Sequence, residues 1–152
     1  MSKIEQGDKI PEFEIPDQTG ETFRSESLKG KKCVIFFYPK DETPGCTKEA
    51  CAFRDAYEDF QKADAEVIGI SSDGIKTHQS FISNHNLPFT LLSDEDKSVR
   101  KMFGVPSNLL GLIPGRVTYV VNSEGIVEYI FNSQLNTQGH IDKALEGIKK
   151  IN

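Results

Sequence analysis

Apolar positions along the chain recur at two spacings, and the switches between them mark out its elements. Residues 33–38, CVIFFY, form an unbroken apolar run closed by Pro39. That is the pattern of a strand buried on both faces and therefore placed mid-sheet. The spacing then becomes helical, with Ala50, Phe53, Tyr57 and Phe60 recurring along residues 44–62. Thr43 stands at the cap position and Pro44 at the first helical one, which puts Cys46 in the first turn. A second apolar run covers Glu66–Ser71, and a helical segment with Ile75, Phe81 and Ile82 covers Gly74–Asn86. Phe89–Leu92 reads as a third strand. Ser93-Asp94-Glu95-Asp96 supplies the acidic first turn of a short helix ending at Phe103-Gly104.

The two ends of the chain complete the pattern. Residues 1–24 predict two short strands around an Asp17-to-Gly20 turn, a small hairpin, and Ser25–Lys32 a single loose helical turn. Residues 105–115, VPSNLLGLIPG, hold two prolines, two glycines and an apolar centre at Leu109, Leu110, Leu112 and Ile113, and read as a loop. Arg116–Val121 and Ile126–Phe131 form a second hairpin through Asn122-Ser123-Glu124-Gly125. Thr137–Ile151 carries Ile141, Ala144, Leu145, Ile148 and Ile151 on one stripe, a helix that packs over the sheet. Strands alternating with helices and closed by a hairpin predict an α/β fold: a mixed central sheet with helices on both faces.

Composition narrows the class. A chain of 152 residues is long enough for one domain, 1–152, with a substantial core. A net charge of −5 and a pI near 5.2 leave no basic footprint for nucleic acid or for an anionic membrane surface. The start, MSKIEQGDKI, lacks the apolar core of a signal peptide, and no apolar run reaches membrane-spanning length, so the default expectation is a cytoplasmic location. Three cysteines in such a chain argue against a disulfide framework and for catalytic, metal-binding or packing roles.

Their spacing decides among these. No C-x-x-C pair occurs, and His78 and His85 on one helix lie about 10 Å apart along its axis, so no zinc cage is legible. Neither phosphate-binding glycine motif is present. Cys33, inside the core strand, reads as a packing thiol. Cys46 differs: the first helical turn has unpartnered N–H groups and a dipole that favour a thiolate over a thiol. Bringing a thiol from about 8.5 to about 6 takes some 3 kcal/mol, whereas a helix terminus supplies at most about 2. A cation or strong donor must add the rest. Lys40 and Lys48 are the only cations in the loop, so the partner must come from elsewhere in the chain; Arg116, which opens a strand after the Pro114-Gly115 turn, is either such a partner or a solvent-exposed strand end. Cys51 is five positions from Cys46. On an intact helix their Cα atoms lie roughly 8.7 Å apart, beyond the roughly 7 Å reach of a disulfide. Cys51 therefore either packs on another helix face or pairs with Cys46 only after the helix start unwinds.

Pro39, Thr43 and Cys46 together make P-x-x-x-T-x-x-C directly after an apolar strand, and YPKDETPGCTKEAC resembles the active-site segment of peroxiredoxins, in particular the peroxiredoxin Q or bacterioferritin-comigratory-protein group. The resemblance extends through GDKIPEFEIPDQTG, VIGISSD, FTLLSDED and GRVTYVV. It implies a thioredoxin-like fold and a thiol peroxidase that reduces hydrogen peroxide and organic hydroperoxides without a cofactor. It further implies that Cys46 attacks the peroxide, Cys51 resolves the sulfenic acid as an intramolecular disulfide, and a dithiol such as thioredoxin recycles the enzyme. Thr43 would contact peroxide and sulfur, Pro39 would shield the sulfur, Arg116 would stabilise charge, and Glu49 would orient that arginine. A monomer is expected, with a weak dimer as the alternative. The competing readings are a thiol–disulfide oxidoreductase, which wants the missing C-x-x-C, and a chaperone-like binding protein using the apolar Leu109–Ile113 segment.

Overall fold

The structure, a computed structural model, describes residues 3–108 and 113–151. In chain order the elements are β1 (Glu14–Pro16), β2 (Thr22–Arg24), a 3-10 turn (Ser25–Leu28), β3 (Lys32–Phe37), α1 (Pro44–Asp55), α2 (Tyr57–Lys62), β4 (Ala65–Ser71), α3 (Ile75–His85), β5 (Thr90–Ser93), α4 (Ser98–Phe103), β6 (Ser107–Asn108), β7 (Ile113–Pro114), β8 (Val117–Val121), β9 (Val127–Asn132) and α5 (Thr137–Lys150). Five strands form the central sheet in the order β5-β4-β3-β8-β9. β3 pairs with β4 in parallel and with β8 antiparallel, so the strand predicted to lie mid-sheet is its centre. β1 and β2 make the expected N-terminal hairpin.

The side-chain alternation of β3 divides the interior. Val34, Phe36 and then Tyr38 face a layer containing Phe53, Phe60, Phe81, Ile141, Ala144 and Ile148, drawn from α1, α2, α3 and α5. Cys33, Ile35 and Phe37 face the opposite layer, where Val99 and Phe103 of α4 meet Phe13 and Ile15 of the N-terminal hairpin region. A strand apolar from Cys33 to Phe37 is the one that needs covering twice, and here it is.

Local departures from the predicted elements have identifiable causes. The helix expected over residues 44–62 breaks at Ala56, whose φ and ψ of −94° and 1° end α1, and the acids Glu58 and Asp59 then occupy the favourable first turn of α2. The acidic stretch 93–96 lies ahead of α4 rather than inside its first turn. Asp94 nevertheless does the capping, taking the backbone N–H of Val99 on Oδ1 and of Arg100 on Oδ2, at 3.0 and 2.9 Å. The segment read as a plain loop has paired flanks, β6 against β7; Leu109, Leu110 and Leu112 lie outside the described residues. No helix among the described residues is long and apolar enough to cross a membrane.

Gly69, in the buried strand β4, leaves no room for a side chain. A Cβ there would stand 2.7 Å from Leu91 Cδ2 and 2.8 Å from Phe36 Cζ, so its two cross-strand neighbours, both in one core layer, close over its bare backbone. Gly69→Ala should overpack this site and lower stability by about 1–3 kcal/mol. Urea unfolding would show this as a lower midpoint with an unchanged slope.

Candidate active site

The segment between β3 and α1 carries the chemistry. The N-cap residue of α1, Thr43, has extended backbone angles, but its hydroxyl does not cap the helix: it donates to the Lys40 carbonyl at 2.8 Å. With its hydrogen committed there, the oxygen keeps its lone pairs free to accept. Cys46 lies in the first turn as predicted, buried to 1% exposure, and its Sγ receives the Lys40 backbone N–H at 3.5 Å. Pro39, half-buried, immediately precedes that amide.

Arg116, just ahead of β8, reaches the same sulfur. Its guanidinium lies close enough to Cys46 for their charges to interact, and donates through Nη1 to Glu49 Oε1 at 2.7 Å and through Nε to the Gln134 carbonyl at 3.1 Å. Burial works against its charge, but Glu49 and Cys46 outweigh this and hold the guanidinium above its ordinary range. Gly45 makes the approach possible, because a Cβ at that position would lie 3.0 Å from Nη2. Arg116 thus stands close to this sulfur, and Glu49 grips it.

A second arginine is not legible in the sequence. Arg100, on α4, is buried and donates to the Tyr38 and Gly115 carbonyls, both at 3.2 Å. It is close enough to Cys46 for their charges to interact. An arginine inside a short helix looks like a surface residue in sequence, and only the fold turns it inward.

Of the remaining cysteines, Cys33 has 0% exposure and burial, with Glu66 adding to it, pushes its thiol up to about 12, which fits a packing role. Cys51 is half-buried on the same intact helix as Cys46, and all three cysteines are free. A further group gathers Asp41, Asp73 and His78, whose ligand-type atoms lie within 4.8 Å of one another. These atoms are already committed: Asp41 Oδ2 meets His78 Nδ1 at 2.6 Å, and Asp73 Oδ2 takes the Asp41 N–H at 2.7 Å. A cation would have to break both contacts, so the group fits a hydrogen-bonded clasp better than a metal cage.

Comparison with known proteins agrees with this geometry. The sequence matches the AhpC/TSA family over residues 6–130. The chain belongs to that family. It is 52% identical to the chloroplastic peroxiredoxin Q of Triticum aestivum over 98% of this chain and 69% of that protein. Among solved structures, the peroxidoxin BcpB of Mycobacterium tuberculosis matches with a TM-score of 0.87 at 38% identity, covering 95% of this chain and 96% of that one. The bacterioferritin comigratory protein of Xanthomonas campestris, described in connection with alkyl peroxide reduction, matches with a TM-score of 0.83 at 31% identity, covering 90% of each chain. This peroxiredoxin has the thioredoxin-like fold of its structural neighbours and is a thiol-dependent peroxidase, so neither the oxidoreductase nor the chaperone-like alternative is favoured. The cytoplasmic expectation is corrected: the curated relatives are named chloroplastic, which points to a plastid. The search for an apolar signal core was blind to plastid targeting, which uses polar, amphipathic sequence.

Behind Arg116 lies a buried layer of which the sequence indicated only Glu49. Glu49, at 0% exposure, spends Oε1 on Arg116, while Oε2 finds no hydrogen-bond donor among the described residues and faces His140 Nδ1 at 3.5 Å. His140 Nε2 donates to the Ser133 carbonyl at 2.7 Å, so Nδ1 is the acceptor that takes the Thr118 hydroxyl at 2.7 Å. Burial raises the Glu49 carboxyl to about 7 despite Arg116, and burial lowers His140 to about 4 despite Ser133. The two act oppositely on stability. Between pH 4.5 and 7 native Glu49 keeps a proton that the unfolded chain has lost, so stability falls as pH rises; between pH 4 and 6.5 native His140 lacks a proton that the unfolded chain holds, so stability rises. They nearly cancel in the overlap. Glu49→Gln should unmask a rise over pH 4 to 6.5, and His140→Gln a fall over pH 4.5 to 7, each roughly 3 kcal/mol, measured by urea unfolding across pH.

Proposed function

We propose that Cys46 is the attacking sulfur of this peroxidase and Cys51 its resolving partner, within one domain spanning residues 1–152. The observation that carries the reading is the sulfur's setting: a helix first turn, the Lys40 N–H and the Arg116 guanidinium converge on one buried thiol. Each favours the thiolate. Attack on the distal peroxide oxygen breaks the O–O bond and leaves Cys46 as a sulfenic acid, while the departing alkoxide or hydroxide takes up a proton and leaves as alcohol or water. Arg116 stabilises charge developing on the oxygens, Thr43 accepts the peroxide's hydrogen, and Pro39 limits water around the sulfur. Glu49 holds Arg116 in place. Hydrogen peroxide and organic hydroperoxides are the substrates.

The Cys51 thiol then condenses with the sulfenic acid to give a disulfide and water, and a dithiol of thioredoxin type restores both thiols. Since both cysteines lie on the intact α1, this step needs the first turns of the helix to unwind, from about Gly45 to Phe53. Unwinding would also expose the disulfide to the reductant. A monomer suffices for this cycle.

Steady-state peroxide consumption tests the assignment: Cys46→Ser should abolish it and Cys33→Ser should leave it within a few fold, whereas turnover by Cys46→Ser would sink the mechanism. Arg116→Ala should slow peroxide attack by about tenfold or more, the loss of a charge-assisted contact to the sulfur. Cys51→Ser should react once and stop. After one equivalent of peroxide, intact mass should show loss of two hydrogens in the parent and an oxygen adduct in this variant. Equal hydrogen-exchange protection of residues 45–53 in reduced and disulfide forms would rule out the unwinding.

A further inference from the structure

The Lys40 amide that faces Cys46 belongs to a turn held with unusual thoroughness. Tyr38 N–H donates to the Ile70 carbonyl at 3.1 Å, and its own carbonyl takes Arg100 Nη2 at 3.2 Å. Past the amide, the Asp41 N–H reaches Asp73 Oδ2 at 2.7 Å, and that same oxygen takes the Ser71 hydroxyl at 2.7 Å. The Asp41 carboxyl turns inward. Its Oδ1 receives the Tyr38 hydroxyl at 2.5 Å and its Oδ2 lies 2.6 Å from His78 Nδ1 on α3, with His78 at 0% exposure.

Proton counting fixes the character of this contact. His78 Nε2 lies 3.0 Å from the Leu92 carbonyl, which can only accept, so Nε2 carries a hydrogen. A carboxylate oxygen and a lone-pair nitrogen cannot approach to 2.6 Å without a proton between them. The Asp41–His78 contact is therefore a short, fully buried hydrogen bond that ties the turn to α3.

We propose that His78 is a positioning residue for the peroxidase step: through Asp41 it locks residues 38–41 so that the Lys40 N–H stays aimed at the Cys46 sulfur. The inference rests on the reading of Cys46 as the attacking sulfur. His78 touches neither sulfur nor substrate, and its effect passes through the backbone of one turn. A thiolate gains more from an N–H than a thiol does, so a loosened turn weakens the reactive form selectively.

Two variants of His78 separate positioning from bulk stability, because each keeps one of its two hydrogen bonds. An asparagine nitrogen falls near Nδ1 and retains the contact to Asp41; a glutamine nitrogen falls near Nε2 and retains the contact to Leu92. Alkylation of Cys46 with iodoacetamide across pH, resolved from Cys33 and Cys51 by peptide mass spectrometry, reads the thiolate without using peroxide. His78→Gln should move the Cys46 profile to higher pH and slow peroxide oxidation by about tenfold, while His78→Asn stays within a few fold of the parent. Identical profiles for the two would overturn the proposal. If both variants fail to fold, Asp41→Asn and Asp41→Ala decide between the outcomes. The asparagine amide can donate to Nδ1 and accept from Tyr38 whereas alanine makes neither contact, so a loss of Cys46 reactivity of about tenfold in Asp41→Ala alone supports the clasp, and identical alkylation profiles for the two overturn it. Should Cys46→Ser still turn over peroxide, the functional reading fails separately, and the alkylation profile still judges the clasp.

Discussion

The contact between Arg116 and Glu49 is the constraint on which the rest of the site depends. Glu49 fixes the guanidinium beside the buried sulfur, reaching it from the helix that carries that sulfur. The pair joins the start of β8 to the second turn of α1, so the strand that flanks the sheet centre and the helix that covers it are pinned at the site itself. Gly45 follows from the same contact, since the guanidinium occupies the space its side chain would need. So does the tension in Glu49, whose second oxygen is buried against an acceptor nitrogen.

What sequence can reveal of this depends on range. β3 and the start of α1 are legible because apolar runs, a proline at the first helical position and a cap residue are local signals. Arg116 can be nominated by its place at a strand start, and only the fold shows that it reaches the sulfur. Nothing local identifies Arg100, Thr118 or His140, each an ordinary polar residue within an element whose buried face is set by distant packing. Asp41 and His78 are 37 residues apart and meet only because α3 lies against the loop before α1. Spacing alone says of the two histidines of α3 only that they stand too far apart to share a zinc ion. In the structure they serve adjacent acids of that loop, His78 bonding Asp41 and His85 bonding Glu42 at 2.8 Å.

This division has a mechanical sense. The loop before α1 is held by hydrogen bonds from α3, Asp73 and Arg100, whereas the first turns of α1 are held by Arg116 and by packing against α5 and the sheet. Proline at the start, glycine next and alanine in the middle leave those turns few polar side-chain ties besides Glu49. The fixed half keeps the sulfur's surroundings ordered; the weaker half is where motion can occur at lower cost.

Glu49 sits between the two cysteines, and this has a consequence for electrochemistry. If Cys46 and Cys51 join by unwinding α1, Glu49 leaves its burial with them and its carboxyl returns from about 7 toward its ordinary value of 4.5. Reduction and rewinding would then draw in one proton more than the two sulfurs alone require, over that same interval of pH. Each extra proton steepens the potential of a two-electron couple by about 30 mV per pH unit. A residue that never meets the peroxide would thus make the disulfide easier to reduce as the compartment acidifies, and its electrode potential would carry the record of a buried carboxyl.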